Sequence, residues 1–578
     1  MMKLTSKSRS FEFRLSLEQE EQRIADRLQT LGPQGLKKLQ TELDRARTNN
    51  KQSSAECAQT SLPPIIFPHK LQLPPLTYYS HDQHIDLFDS PSSHFNKYTL
   101  HIPISNLPSD LQLYLPLFSN LLFHTAIDYE NIHLKKYDFC QLITRDILAY
   151  SVSNGQSSAS PVQSSFVHTH YMDTFLITLQ SRSNQELFRN TINYFRYVLF
   201  GTVFTDYKII REECEKQLKN LIEILQEGQT IHQVYFNCLL QWHESKSYYH
   251  QMNMFRQKKL FEKISQHPDK FEREIRTKLQ AIQRFLQRNL AQMHLTICGN
   301  VQLIKEHWPI VDQFLEEVRT KSQISIEENL VEASQNKQVY SPVTIIGNPH
   351  EESGYVLSIQ LDSSSSFVFS YVLRWTRVPI SPQDFVALLI FSNFLDMENG
   401  PLWIACRTNG YSYGVSFDFD FETNLILLSI NQCSQLTLAY SSAISTLKHL
   451  IEHRTSCDLP RLHAARNLTI CMLTEHFASL GRAIGVCIRS YLNTYSLEKY
   501  QDLINELHSF EFTEEILVKM IEKYLVPLIN DSQSSTLILV NSNKMKETQV
   551  FLQKEHAMAN VILIKDVGKH LLRTKEEK

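Results

Sequence analysis

Arg407 and Tyr413 stand six residues apart in the stretch Glu398–Gly414, ENGPLWIACRTNGYSYG. An arginine forks onto a carbonyl or carboxylate, and a tyrosine hydroxyl donates to a developing oxyanion. A second constellation, His449-Leu450-Ile451-Glu452-His453, has the order of a metal site. Two histidines one helical turn apart bind zinc from one face, and the intervening Glu is general base for the attacking water. Glu515 and Glu522 are candidate third ligands, and nothing in the sequence selects one. His168 and His170 alternate along a predicted strand and share a face. No third ligand accompanies them, which favours a solvated strand face. There is no Gly-rich phosphate loop or paired zinc ribbon, and 14 glycines in 578 residues are few for nucleotide-binding loops.

The elements that must carry these residues follow from local pattern. A helix-prone piece bears Trp403 and ends in Arg407, and Gly410 sits where it stops. Tyr411, Tyr413, Val415, Phe417 and Phe419 then alternate with smaller or polar residues, as a strand does. Gly414 is read as a point of close backbone or substrate approach. Arg407 and Tyr413 can therefore face one cleft from either side of a helix-to-strand junction. His449 and His453 fall at the end of a helix predicted over 435–453. Leu447, Leu450 and Ile451 are its buried stripe, which turns both imidazoles partly toward solvent and favours coincidence over a metal site.

Residues 16–50 read as a charged helical segment that Gly32-Pro33 breaks in two. Ser16 and Gln19 fit a capping box. Prolines gather over 51–76, marking a linker. A first domain follows over 77–325. Strands are expected at Lys97–Ser105, Phe166–Tyr171, Asp173–Gln180 and Met293–Cys298. Helices are expected at Pro108–His124, with a restart at Pro116, and at Asn184–Leu199. Long helices over 206–290 read as its outer layer. A second domain over 340–578 repeats the order: strand Phe367–Trp375, helix Pro382–Leu395, strands Tyr411–Phe419 and Asn424–Ile430, helix Gln435–His453, strand Thr536–Val540. Phe118-Ser119-Asn120 and Phe391-Ser392-Asn393 lie mid-helix at matching places. Asp173-Thr174 and Glu422-Thr423 open matching strands. Met293–Asn300 and Thr536–Asn543 each run from an apolar strand into a polar turn. Three matches in one order indicate two related α+β domains.

A chain of 578 residues is too long for one core, and 42% apolar with 21% charged content is ordinary for a soluble protein. A net charge of −3 announces no nucleic-acid partner. No apolar run approaches the ~20 residues a membrane span needs. Ten cysteines without CxxC spacing read as reduced thiols in an intracellular compartment. The Ser-, Lys- and Arg-rich start leaves a mitochondrial presequence as the alternative to a cytoplasmic location, against which Glu12 speaks.

The string GPLW…R…GYSYG resembles the C-terminal half of insulinase/pitrilysin-type zinc peptidases of the presequence-protease-like branch. The resemblance runs from the helical segment at 16 to the last strands, and its specific part is Glu398–Gly414. It implies two metallopeptidase-like α/β sandwich domains, similar to those of mitochondrial processing peptidase, preceded by a helical linker. It implies further that Arg407 and Tyr413 reach across a closed chamber to an unstructured peptide. The family's His-x-x-Glu-His lies on the first helix of its first domain; the corresponding turns here read SNLLFHT and FSNFLDM, so neither domain carries it. The expectation is a substrate-chamber half, with no cofactor of its own and zinc on a partner half. A non-catalytic scaffold is the first alternative, and a self-contained zinc peptidase at His449, Glu452 and His453 the second.

Overall fold

The computed structural model describes scattered positions between 22 and 48 and residues 77–82, 85–90, 93–154, 174–240, 251–327, 353–358, 369–421, 423–454, 458–475, 497–555 and 560–572. The strands of the first unit are β1 (Thr77–Asp82), β2 (Ile85–Asp89), β3 (Phe95–Pro103), β4 (Ala126–Tyr129), β5 (Ile132–Leu134), β6 (Ile147–Asn154), β7 (Thr174–Arg182), β8 (Thr202–Val203) and β9 (His294–Gly299). Those of the second are β10 (Ser353–Leu357), β11 (Ser370–Arg377), β12 (Ser412–Asp420), β13 (Leu425–Cys433), β14 (Ser534–Leu539) and β15 (Asn560–Ile564).

One six-stranded sheet runs β1-β2-β9-β3-β7-β6; the other, from the matching edge, runs β15-β10-β14-β11-β13-β12. In each, one inner pair is parallel (β2 with β9, β10 with β14), and every pair from there to the far edge is antiparallel. Only the first strand differs in origin: β1 precedes β2 and pairs antiparallel, whereas β15 comes last in the chain and pairs parallel. β4, β5 and β8 form a small sheet in the first unit. The architecture is α+β, two repeated α/β sandwiches. The expected restart of the first helix appears as Ser109–Gln112 followed by Leu115–Leu121, with Pro116 in its first turn. The sequence reading misses β1, β2, β4, β5, β6, β8, β10 and β15, which are short or lie at or next to a sheet margin. Ser16, Gln19, Phe166–Tyr171 (with His168 and His170) and 51–76 lie outside the described residues. The described positions between 22 and 48 are helical, with a positive φ of 58° at Gly32.

Helices cover one face of each sheet. In the first unit Tyr98, Leu100 and Ile102 of β3 meet Phe118, Phe188 and Ile282 in one buried cluster. In the second, Val372, Leu428 and Ile538 meet Leu388, Tyr440 and Tyr524. The other face of the second sheet is also apolar, with Leu373, Trp375, Leu427 and Leu537. A strand buried on both faces needs two covers. The second cover corrects the expectation that 206–290 is only the first unit's outer layer. Helix Gly228–Leu240 of the first unit packs its Ile231, Tyr235 and Phe236 onto the second sheet. Phe236 meets Trp375 edge to face at 5.1 Å.

His232 lies fully buried in this contact, and its Nε2 donates to the carbonyl of Leu537 at 3.1 Å. Burial lowers its pKa to about 4 from an ordinary value of 6.5, because the dry interface opposes the charged imidazolium. Among the described residues, all cysteines are free thiols and no helix is long and apolar enough to cross a membrane.

His232 makes the two-unit contact acid-sensitive. Its folded pKa lies below its unfolded value, so stability is fully present above the unfolded pKa and drains as pH falls toward 4. The expected loss is on the order of 3 kcal/mol. Urea unfolding at pH 7 and pH 4 should show it, and His232→Gln should flatten that part of the pH dependence.

Candidate functional site

The junction around Arg407 is set by two glycines. At Gly400 a Cβ would meet the carbonyl oxygens of Phe394, Leu395 and Met397 at 2.7–2.8 Å, so only glycine passes that turn after Asn399, whose φ is 66°. Trp403–Thr408 then winds as a π-helical turn with Ala405 and Cys406 buried beneath it. Gly410, at φ 74°, ends it, and its amide donates to the Arg407 carbonyl at 2.9 Å. The chain enters β12 at Ser412. At Gly414 a Cβ would meet only Asn431 Cβ, at an ordinary 3.7 Å, so no close backbone approach demands glycine there.

Trp403 and Arg407 lie four residues apart and share a helix face. The Arg407 guanidinium carbon sits 4.0 Å from the Trp403 ring centroid and 4.8 Å from that of Tyr413. The two candidate residues are thus in contact, and Trp403 is a third member that the i, i+4 spacing could have assigned. Tyr413 is 66% exposed, since it stands beyond the buried run Val415, Phe417, Phe419 on the same strand face. Among the described residues, neither the Arg407 guanidinium nor the Tyr413 hydroxyl has a hydrogen-bond or ion-pair partner. Ring faces hold the charge in place by cation–π attraction and leave the N–H edge free for a ligand.

β12 is an outermost strand, and its edge is closed from helix Phe385–Asp396. The Asp396 carboxylate accepts the Phe417 amide at 2.7 and 2.9 Å, and Ser392 Oγ donates to the Phe417 carbonyl at 2.5 Å. Burial, then the nearby Asp418, pushes the Asp396 carboxyl well above the usual carboxylate range. Burial lifts Asp418 to about 6, against the hydrogen bond from Ser416.

The turns that correspond to the implied metal helix do not fit zinc. In the second unit Asn393 donates to Leu389 and Thr469, and Asp396 is spent on Phe417. In the first, His124 lies between Tyr150 and Cys140, with 3.4 Å to the phenol oxygen and 4.0 Å to the sulfur. The His449 and His453 rings stack face on at 4.1 Å, and His453 Nδ1 donates to the His449 carbonyl at 3.1 Å. Both imidazoles and Glu452 are exposed, as is Glu515. Glu522, the other third-ligand candidate, pairs with Arg454 at 2.8 Å. Among the described residues no three His, Cys, Asp or Glu side chains are placed to hold a metal ion.

No family model matches the sequence. The curated protein C3H1.02c of Schizosaccharomyces pombe is 20% identical over 589 residues, 96% of this chain and 54% of that protein. The protein C05D11.1 of Caenorhabditis elegans is 24% identical over 188 residues, 32% of this chain and 18% of that protein. The chain spans about half the length of the first curated relative it matches. Among solved structures, the peptidase M16 inactive domain from Pseudomonas fluorescens aligns with TM-score 0.52 at 12% identity, over 81% of this chain and 98% of its own. A conserved protein from Enterococcus faecalis aligns with TM-score 0.54 at 10% identity, over 81% of this chain and 99% of its own. The periplasmic protease PqqL from Escherichia coli aligns with TM-score 0.50 at 12% identity, over 89% of this chain and 51% of its own. The chain has the fold of the M16-type inactive domain.

With Nδ1 of His453 turned to its own helix and Glu522 occupied, the purified, dialysed chain is expected to hold well under one zinc per molecule by plasma emission. His453→Ala should leave that value unchanged. A stoichiometric zinc that His453→Ala removes would restore the peptidase reading of this string.

Proposed function

We propose that this chain is the substrate-chamber half of an insulinase/pitrilysin-type zinc endopeptidase and acts with a zinc-bearing half. The observation that carries the reading is the Arg407 guanidinium, steadied by two aromatic faces and unpaired, beside an exposed phenol. An unstructured peptide presents backbone carbonyls to such a group. Arg407 would orient the peptide by a forked hydrogen bond, and Tyr413 would donate to the oxyanion of the tetrahedral state. Zinc and its general base would come from the other half. On this reading the chain alone is inactive. The alternative of a scaffold subunit draws support from the Pseudomonas neighbour, an inactive domain of the same fold.

The two readings part on turnover by the complex purified with its zinc-bearing half, measured on a quenched fluorescent peptide. Tyr413→Phe should lower kcat on the order of 10²-fold with KM little changed, because its donor matters only as charge develops. Arg407→Ala should lower kcat/KM at least as far, mainly through KM, while assembly by gel filtration stays intact. Unchanged turnover in both variants would leave the scaffold.

A further inference from the structure

The far edge of the first sheet differs from that of the second in a way that bears on binding. β6 is outermost, reads ILAYSVSN, and carries no charge, proline or glycine. Leu148–Ser151 and Ser153 are exposed, Leu148 by 50% and Tyr150 by 41%. Among the described residues no backbone group on its outer side has a partner. In an antiparallel edge strand every second residue points its N–H and C=O outward. Such an edge is a template for another strand unless a charge, a proline or a cover blocks it. β12 has those blocks: Asp396 and Ser392 on Phe417, and Asp418 and Asp420 in the strand itself. β6 has none.

A cavity of about 230 Å³ opens beside this edge, on the helix side. Tyr150 connects the two. Its ring packs on Phe123 at 4.7 Å, and its hydroxyl lies 3.4 Å from His124 Nε2. His124 lines the cavity with Leu121, Lys136, Glu212, Glu213 and Lys216. Of the four charged side chains, Glu213 is the sheltered one at 10% exposure, against 38% for Lys136, 55% for Glu212 and 62% for Lys216. Lys216 reaches Glu213 only at 3.5 Å, and Gln217 Nε2 donates to its other oxygen at 3.2 Å. So exposed a lysine holds its partner weakly and can swing into water. A cation brought in by a bound strand would take its place against a desolvated carboxylate, where attraction is stronger.

We propose that β6 accepts an extended peptide as an added strand, with a basic side chain of that peptide in the neighbouring cavity against Glu213. Main-chain pairing supplies affinity regardless of sequence, and the cavity selects the one side chain that enters it. This site is separate from Arg407 and does not rest on the function proposed for it.

Hydrogen exchange on the unmodified chain tests it with an unstructured peptide carrying arginine at its centre and a twin carrying norleucine. Either peptide at saturation should slow the amides of 147–154 by at least ~5-fold, as new ladder bonds form. By fluorescence anisotropy the arginine peptide should bind on the order of tenfold tighter than its twin. Glu213→Gln should reduce that ratio to about two and leave norleucine binding unchanged. Ser151→Lys and Ser153→Lys should each weaken both peptides about tenfold. Absence of protection over 147–154 overturns the proposal. So does concentration-dependent protection without peptide, which would assign the edge to a second copy of this chain. If a lysine variant fails to fold, the exchange result on the unmodified chain still decides.

Discussion

One buried guanidinium constrains the second unit more than any other group. Arg374, on the inner strand β11, is fully buried. Its Nε donates to Leu528 O at 2.6 Å, Nη1 to Tyr440 at 2.8 Å and Thr536 at 3.4 Å, and Nη2 to Ile529 O at 3.0 Å and Asp531 at 2.7 Å. A charge this far from water survives only if every donor is met, and the loss of one partner costs several kcal/mol. That requirement fixes the turn after Ile529, the strand β14 and the helix Leu436–Glu452 against one point of the sheet. The same helix packs under the turn Trp403–Thr408, with Cys406 Sγ 3.4 Å from the Ala439 carbonyl. Tyr440 and Ala439 are neighbours, so the arginine hub and the candidate site share one rigid support.

Above that support the site is held by backbone geometry and by ring faces. Gly400 and Gly410 set where the turn begins and stops, and the stop sets how Arg407 meets β12. The guanidinium then needs no carboxylate to stay put, because Trp403 and Tyr413 flank it. An arginine tied to a carboxylate would offer a ligand few free donors. An arginine resting on aromatic rings is ordered and still available. A mostly exposed tyrosine is an ordinary surface feature alone; beside an unpaired, ring-held cation it becomes half of a receptor.

Much of this could be read from residue patterns, and the misses share a cause. The strand at Tyr411–Phe419 announces itself by period, because one face meets a continuous core, and the helix around Leu388 by an unbroken apolar run, because Val386–Ser392 are all buried. β10 and β15 do not, since a five-residue apolar run is short for any periodicity. Helix Gly228–Leu240 lies within 206–290, which the sequence pattern assigns wholly to the first unit's outer layer. Its apolar side matches either unit, and only the apolar back face of β11, β13 and β14 decides its partner. Leu425, Leu427, Leu537 and Leu539 carry that information in plain view, since strands apolar at successive positions call for two covers. His449, Glu452 and His453 show the opposite fault, a string with metal spacing on an exposed helix end where the rings stack on each other. Trp403 was visible in the string but had no role until the stacking distance was known.

The duplication explains why the two units are alike in plan and unlike at their margins. The strand order constrains the inner strands, where each position is buried from both sides. Outer strands escape that constraint. β1 and β15 fill the same place from opposite ends of the chain and in opposite directions relative to the neighbouring strand. β6 and β12 fill the other, one open and uncharged, the other sealed by Ser392 and Asp396. The Phe-Ser-Asn turns show the divergence at one residue. Ser119 turns back to the Leu115 carbonyl of its own helix, whereas Ser392 reaches across to Phe417 of β12. One hydroxyl in two equivalent helices thus leaves one sheet edge exposed and closes the other, and chemistry is free to differ where the repeated cores do not hold the chain.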